Sequence, residues 1–367
     1  MQKILRTVFA FILVFSFTYT FAEEQHNEGG KTEERTKFNA GDFIFEHVGD
    51  SHEWHIITVG EKDVSVPLPV ILYSKTSGLH VFMSSEFDHG HSDYNNFRLE
   101  TEGKNKGKIA ELDGQGQELE SLPLDLSISK DVAALFFSLA LMLWVFLSVA
   151  KAYTRRKGQA PTGLQNFIEP VIVFIRDEVA RPSIGEKKYE RYLPYLLMVF
   201  FFILLNNLLG LVPILPGGAN VTGNITITMF LALCTFLITN INGGKAYWKD
   251  MVNTPGVPWW LKLPIPVMPF VEVLGVFTKP FALMIRLFAN ITAGHIIALA
   301  FFSLIFIFGE IHAAIGYSVS VVSIAFSVFM TCLELLVAFI QAFVFTLLSA
   351  VFIGMAVEEE HPAEEKH

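Results

Sequence analysis

Long apolar runs alternate with short polar loops from residue 131 onward, a pattern typical of proteins that cross a bilayer several times. A helix needs about 20 apolar residues to cross the hydrocarbon core. The pattern predicts five spans, at residues 132–150, 193–215, 225–241, 271–308 and 318–355. The last two exceed a perpendicular crossing, so we expect them to be tilted, kinked or partly outside the hydrocarbon.

Between the first two spans, apolar residues recur at steps of three and four. Such spacing puts them on one face of a helix, as in amphipathic helices that lie on a membrane surface. The residues on this face are Leu164, Phe167, Ile168, Val171, Ile172 and Ile175. We therefore expect an interfacial helix here, bent by Pro170.

The first six residues include Lys3 and Arg6. An apolar run over residues 7–21 and a small residue, Ala22, follow. This order predicts a cleavable export signal over residues 1–22, with an uncleaved anchor as the alternative. The next region, 23–128, begins with a polar, disordered-looking stretch (23–37). Short strand-like runs follow at 55–59, 64–73 and 79–83, so we expect a small exported β-rich module.

Basic residues are distributed unevenly among the loops. They follow the first and third predicted spans, whereas the loops 213–224 and 309–316 contain no Lys or Arg. Basic loops stay in the cytoplasm, so the N-terminus is expected outside and the acidic tail 358–367 inside. The export signal predicts the same orientation.

These patterns predict an all-α polytopic membrane protein with five transmembrane helices, one interfacial helix and the β-rich module, and composition supports a membrane protein. Of 367 residues, 52% are hydrophobic and 17% charged. The net charge of −9 comes largely from the two ends and indicates no nucleic-acid partner. The two cysteines, Cys234 and Cys332, both lie in apolar spans, so the module has no disulfide framework.

Histidines are concentrated in the N-terminal module. The candidates for a metal site are His52, His55, His89 and His91, the last two beside Asp88 and Asp93. Histidine and carboxylate can bind zinc, but no spacing fixes four ligands. An ordinary polar surface is the alternative that this pattern favours.

Polar side chains within the fourth and fifth spans are the main candidates for function. Arg286 is followed by Asn290 and His295, and the fifth span contains Glu334 and Gln341. At about 1.5 Å per residue, His295 lies about 13.5 Å from Arg286, and Gln341 about 10 Å from Glu334. If the helices are antiparallel, His295 faces Glu334, while Arg286 and Asn290 come near Gln341.

These two levels predict two kinds of chemistry. His295 and Glu334 can both gain and lose a proton, so they suit proton relay, although His295 is equally well explained as an interhelical hydrogen-bonding residue. Arg286 stays charged and can attract a carboxylate carried by another chain. A salt bridge between Arg286 and Glu334 is the purely structural alternative.

The fourth span contains TKPFALMIRLFANITAGH (residues 278–295), the fifth contains QAFVF (341–345) and the second contains NNLLGLVP (206–213). With these motifs, residues 130–357 resemble subunit a of the rotary ATP synthase membrane sector. The N-terminal module departs from the short N-terminus usual in that family. Arg286, Asn290 and Gln341 occur in the helices where the family has them.

The resemblance implies a non-catalytic stator that needs no cofactor and faces a ring of subunit c, whose copies bear ion-binding carboxylates. Its Arg286 would separate two offset half-channels. His295, Glu334, Asn290 and Asn207 would serve the outer half-channel, and Glu272 the cytoplasmic exit. Many bacterial members carry Glu and His at the positions of His295 and Glu334, so this chain has the exchanged arrangement.

The implied partners are the ring, the stalk of subunit b, the catalytic head and membrane lipid, at a bacterial inner membrane. Two alternatives remain open at this point. One is a self-contained proton-coupled antiporter that uses Arg286, His295 and Glu334, although no internal repeat supports it. The other is an exported metal-binding domain with a membrane anchor.

Overall fold

The computed structural model describes residues 39–59, 62–101, 105–113, 116–119, 122–212, 217–252 and 267–358. The predicted signal, the polar stretch 23–37 and residues 359–367 of the acidic tail lie outside the described residues. Asn39–Trp54 and the described residues from Pro67 onward form one compact unit. His55–Val66 belongs to a second unit and is described by itself. The domain boundary expected at residue 128 stays a prediction.

Within its described residues, the N-terminal module has one α-helix, one 3-10 helix (Ser84–Gly90) and three small sheets. Helix α1 (Ala40–Val48) begins after Asn39, whose side chain accepts a hydrogen bond from the Gly41 amide. The strands are β1 (Glu53–Val59), β2 (Lys62–Pro67), β3 (Pro69–Ser74), β4 (Gly78–Met83), β5 (Phe97–Leu99), β6 (Ile109–Glu111) and β7 (Leu124–Asp125), arranged as β1-β2, β4-β3-β7 and β5-β6. Strands occur at all three predicted runs. The β-rich module is therefore confirmed, and its export stays a prediction.

A small apolar core holds the central sheet of the module. Alternate residues of β3, Val70 and Leu72, are fully buried against Phe87 and Phe97, as the two-residue period of a strand requires. A buried carboxylate, Glu111, accepts hydrogen bonds from the hydroxyls of Ser74 (2.6 Å), Thr76 and Ser77 (3.2 Å). This cluster fixes the β3-β4 turn on β6.

The membrane domain begins with helix α2 (Lys130–Arg155), capped by Ser129. The predicted interfacial segment forms α3 (Leu164–Phe174), a wide π-helical turn (Ile175–Ala180) and α4 (Arg181–Ile184). Pro170 lies inside α3, and the wider turn begins a few residues later. Ile168 is buried, whereas Phe167 is 74% exposed, so α3 has two different faces. Its place at a membrane surface stays a prediction.

The centre of the membrane domain is α5 (Tyr189–Gly210), which is followed by α6 (Ile225–Ile241) and α7 (Lys245–Val252). Leu196, Val199, Phe200 and Ile203 of α5 are fully buried. They belong to one apolar core that also includes Ile353 near the end of the chain. Burial around most of its circumference explains why α5 is apolar on all sides.

The last two helices are α8 (Val267–Ile311) and α9 (Ala313–Val357). Each has 45 residues, or about 67 Å of helix, against about 30 Å of hydrocarbon core. They run antiparallel, since Phe301 stacks on Phe326 (5.1 Å between ring centroids) near the turn and Gln341 contacts Arg286 farther along.

Four described helices, α2, α5, α8 and α9, are long and apolar enough to cross a membrane. Four of the five predicted spans are thereby confirmed by length and composition. The remaining one, α6, is apolar but has 17 residues, the lower end of the usual range of about 17–25. The helix ends differ from the predicted ones by a few residues.

Candidate functional site

An imidazole and a carboxylate meet between the two long helices. Nδ1 of His295 on α8 lies 3.6 Å from Oε1 of Glu334 on α9. Only 19% and 12% of these side chains are exposed, so each is largely shielded by the chain. At this distance the two groups are ion-pair neighbours but lie beyond direct hydrogen-bonding distance. The structure thus brings together the two residues that sequence spacing puts opposite each other.

Two glycines make room for this pair. A Cβ at Gly294 would lie 2.6 Å from Oε1 of Glu334, closer than real carbon atoms approach an oxygen. A Cβ at Gly210 of α5 would lie 3.7 Å from Nε2 of His295 and 3.3 Å from the Ala219 carbonyl oxygen. The carboxylate therefore packs directly on the backbone of α8, and the imidazole packs beside the end of α5.

The second level of polar groups is centred on Gln341. Its side chain is 3% exposed, and its amide nitrogen donates a hydrogen bond of 3.3 Å to the backbone oxygen of Arg286. This bond crosses from α9 to α8 and fixes the height of Arg286 relative to α9. The side chain of Arg286 is exposed, as is that of Asn290 one turn later.

The guanidinium of Arg286 is not paired with the Glu334 carboxylate. Among the described residues no ion pair includes Arg286, and the carboxylate of Glu334 lies beside His295 instead. The salt bridge that was the structural alternative is therefore not formed. Arg286 thus presents a positive charge on the exposed surface of the helix pair, with no ion-pair partner in the described part of the chain.

Asn207 connects three elements. Its amide nitrogen donates to the Ala338 carbonyl oxygen of α9 (3.3 Å), and its amide oxygen accepts a hydrogen bond from the Thr222 hydroxyl (2.5 Å). Both side chains are buried. Asn207 therefore joins α5, α9 and the turn Val221–Gly223 one helical turn away from Glu334.

Glu272 is separate from this group. It precedes Arg286 by 14 residues on the same helix, or about 21 Å. It is half-buried, and its negative charge acts on the hydroxyl of Tyr247 in α7. Burial and the charge of Glu272 both raise the pKa of the Tyr247 hydroxyl. Relative to Arg286, Glu272 lies on the opposite side from His295.

The histidines of the module form no metal-binding group within the described residues. Nε2 of His52 lies 2.8 Å from Oδ2 of Asp125. Asp93, expected beside His89 and His91, instead forms a bidentate ion pair with Arg98. The side chains of His55 and His89 lie outside what the structure describes.

Thr222, Gly210 and Gly294 contact the site residues but were not singled out from the sequence. A glycine in the middle of a helix costs about 1 kcal/mol relative to alanine. Gly294 inside a 45-residue helix therefore indicates a position where close packing excludes a larger side chain. Thr222 had no such signal, because its contact depends on the path of the loop between α5 and α6.

Comparisons with known proteins match both parts of the chain. Residues 132–354 match the ATP synthase A chain family, and residues 43–127 match a domain of unknown function (DUF8433). The chain is 43% identical over 250 residues to "ATP synthase subunit a" of Chloroherpeton thalassium, covering 66% of this chain and 70% of that protein. It is 46% identical over 250 residues to "ATP synthase subunit a 2" of Prosthecochloris aestuarii (66% and 73%). It is 45% identical over 259 residues to "ATP synthase subunit a" of Myxococcus xanthus (67% and 79%).

Proposed function

The chain belongs to the ATP synthase A chain family, and on that premise we propose that it is the ion-translocating stator subunit of a rotary ATP synthase. The ion is a proton. The chain itself performs no ATP chemistry, which takes place in the catalytic head of the complex. Its role is to conduct protons to and from a rotating ring of subunit c.

The environment of Arg286 carries this proposal. Its exposed side chain shares one face of α8 with Ala282, Ala289 and Ala293, which are also exposed. Small side chains allow a neighbouring helix to approach closely. A charge at membrane depth costs about 3 kcal/mol or more unless it meets a partner. A ring of helices that each bear a carboxylate would supply that partner.

Arg286 would act on each ring carboxylate in turn. A nearby guanidinium favours the ionised form of a carboxylate, so a ring residue that arrives protonated releases its proton. Because the guanidinium itself does not deprotonate, it passes no proton across the barrier. Protons must therefore leave and enter the ring on different sides of Arg286.

Polar residues lie on both sides of this barrier. His295 and Glu334, with Asn207 beside them, are about 13.5 Å from Arg286 along α8, and Asn290 lies between the two levels. Glu272 is about 21 Å away in the other direction. We assign the first group to the outer half-channel and Glu272 to the cytoplasmic exit. The offset between them supports two half-channels that do not meet.

In the proposed orientation the N-terminal module is outside a bacterial inner membrane and the C-terminus is in the cytoplasm. The basic residues after α2 and α6 support this orientation. The partners are the ring of subunit c, the stalk of subunit b and, through them, the catalytic head. Lipid contacts the remaining exposed apolar surface.

Purification of the tagged chain in mild detergent tests the proposal. We expect a small two-span proteolipid and nucleotide-hydrolysing subunits to co-purify, and the reconstituted complex to acidify vesicles with ATP in sodium-free buffer. The purified chain alone should transport nothing. Proton-coupled exchange by the chain alone, without a ring, would instead support an antiporter and contradict the proposal.

A further inference from the structure

The segment Asn39–Asp50 and the start of helix α2 form hydrogen bonds with each other's helix ends. The ammonium of Lys130 donates to the Gly49 carbonyl oxygen (2.9 Å) and the His47 carbonyl oxygen (3.4 Å), at the end of α1. In return, Asp50 accepts hydrogen bonds from the Ser129 hydroxyl (2.7 Å) and the Asp131 amide (3.0 Å), at the start of α2. Free carbonyls and amides at helix ends need such partners. The segment is therefore part of the membrane domain's packing.

Aromatic contacts hold the same segment to the helix that bears the site. The ring of Phe43 in α1 lies 6.4 Å from Phe302 and 6.2 Å from Phe306 of α8. These contacts are two to three turns beyond His295. The module thus touches α8 at the same end of the helix pair as the His295–Glu334 pair.

The side chain of Asp131 points into the protein. It is 4% exposed; Oδ2 accepts a hydrogen bond from Asn224 (3.1 Å), while Oδ1 is buried and has no partner among the described residues. Asn224 also caps α6 through the Thr226 amide (3.0 Å). Asp131 is therefore tied to the loop that precedes α6.

That loop leads from Asp131 to the His295 site. Asn220 is 6% exposed, and neither polar atom of its side chain has a partner among the described residues. Thr222 donates to Asn207, and the Gly223 carbonyl oxygen accepts from Thr292 (3.5 Å), one turn before His295. Hydrogen bonds thus link Asp131 through Asn224 and the adjoining Gly223 to Thr292 of α8, one turn before His295.

Buried polar atoms without a protein partner are usually satisfied by internal water. The orphan atom of Asp131 lies in the residue whose amide contacts Asp50, which is exposed. The orphan atoms of Asn220 lie in the loop whose Thr222 and Gly223 contact Asn207 and Thr292. A carboxylate and an ammonium buried at the start of a membrane helix are costly, and such groups typically serve conduction. Together these observations indicate a hydrated route rather than dry packing.

We propose that the N-terminal module is part of the proton path: Asp50 is a positioning residue that holds Asp131 at the outer mouth of a hydrated route to His295 and Glu334. The inference rests on the proposed function. Asp131 exchanges protons with the outer solution, and water carries them past Asn220. Asp50 touches no transported proton and acts through the first turn of α2.

The test uses the complete ATP synthase complex in inverted vesicles. Asp50→Ala should lower ATP-driven acidification per assembled complex by about ten-fold, as expected for losing hydrogen bonds to a charged group. The milder variant Asp50→Asn, which keeps an oxygen acceptor, should retain most activity. Asp93→Ala removes a carboxylate from the module that contacts Arg98 instead, and should leave acidification unchanged.

A second measurement probes water directly. In a background where Cys234 and Cys332 are replaced by serine, Asn220→Cys should make pumping sensitive to silver ion added at the outer face before the vesicles are inverted. Val199→Cys, at a buried apolar position, should not. Normal acidification per assembled Asp50→Ala complex, or equal silver sensitivity of both cysteine variants, overturns the inference. A parent complex that fails to pump overturns the proposed function instead.

Discussion

Gln341 donates its amide hydrogen bond to the backbone oxygen of Arg286 and not to its guanidinium. The bond therefore fixes the position of the arginine while leaving its side chain available to another molecule. In the same pair of helices, Oε1 of Glu334 lies 3.6 Å from Nδ1 of His295. The one carboxylate of α9 that faces α8 is thus kept away from Arg286.

Gly294 should tolerate no side chain. In Gly294→Ala the new methyl group would overlap Glu334 and move its carboxylate from His295. Because a misplacement of about 1 Å can cost 10²-fold in rate, we expect ATP-driven acidification to fall between about ten- and a hundred-fold.

Gly275 provides the matched control in the same helix. A Cβ there meets nothing within 4 Å, so Gly275→Ala should pump normally. The measurement is acidification of inverted vesicles at equal amounts of assembled complex. Equal activity of the two alanine variants would show that Glu334 need not remain where the structure has it.

Exchanging His295 and Glu334 should be less harmful than changing either alone. The double variant His295→Glu with Glu334→His keeps one acid and one imidazole facing each other, so a proton can still pass between them. The variants His295→Glu and Glu334→His leave two acids or two imidazoles. ATP-driven proton pumping is the readout, and equal loss in all three variants would argue against a relay pair.

Glu111 should make the module sensitive to acid. Burial alone would raise the pKa of this carboxyl, but hydrogen bonds from Ser74, Thr76 and Ser77 outweigh burial and lower it. A carboxylate with a lowered pKa stabilises the fold above its unfolded pKa of about 4.3, and this contribution is lost as pH falls through the folded value.

Hydrogen exchange of β3, β4 and β6 in the intact complex measures this effect. Exchange should accelerate as pH is lowered below about 4.3, after correction for the intrinsic rate. In Glu111→Gln, which has no charge to titrate, exchange should be faster at neutral pH and should change less with pH. A variant with the same pH dependence as the parent chain would assign the acid sensitivity to another group.

The β-sheets and the Asn39–Asp50 segment should differ in importance. The Lys130 amide donates to the Ser51 carbonyl oxygen (2.8 Å), and Trp54 packs on Ala134 of α2, so a short Gly-Ser linker should replace only residues 55–127. We expect this deletion to spare proton pumping, because Asp50 and Lys130 remain. Deletion of residues 23–125 behind the signal removes Asp50 as well and should impair pumping. Undiminished pumping by both deletions would show that the whole module is accessory.

Sequence patterns predicted the long apolar helices and the pairing of His295 with Glu334, but not the short helices α1 and α7. Both successful predictions depend on local periodicity, since residue spacing along two antiparallel helices fixes which side chains share a level. The runs that form β1 to β4 were predicted from local pattern as well, whereas β5, β6 and β7 were not. Neither the loop around Thr222 nor the contact of Asp50 with Asp131 has such a period. They join residues far apart in the chain, and spacing alone does not encode which loop lies over which helix.

The buried ends of α2 illustrate this limit. Lys130 and Asp131 read as an ordinary charged boundary before an apolar run. Only the packing of α1 and the loop before α6 shows that both are buried. The π-helical turn after α3 was likewise missed, because the apolar spacing around it fits an uninterrupted helix.

The most direct test of the central claim is ATP-driven acidification of vesicles that contain the complex with Arg286→Ala. Arg191→Ala, which removes an arginine that lies over the Tyr192 ring of α5, is the control. We predict that Arg286→Ala abolishes acidification and ATP synthesis while ATP hydrolysis by the detached head is unchanged, and that Arg191→Ala pumps normally. Continued proton-coupled synthesis in the Arg286→Ala complex would contradict the account.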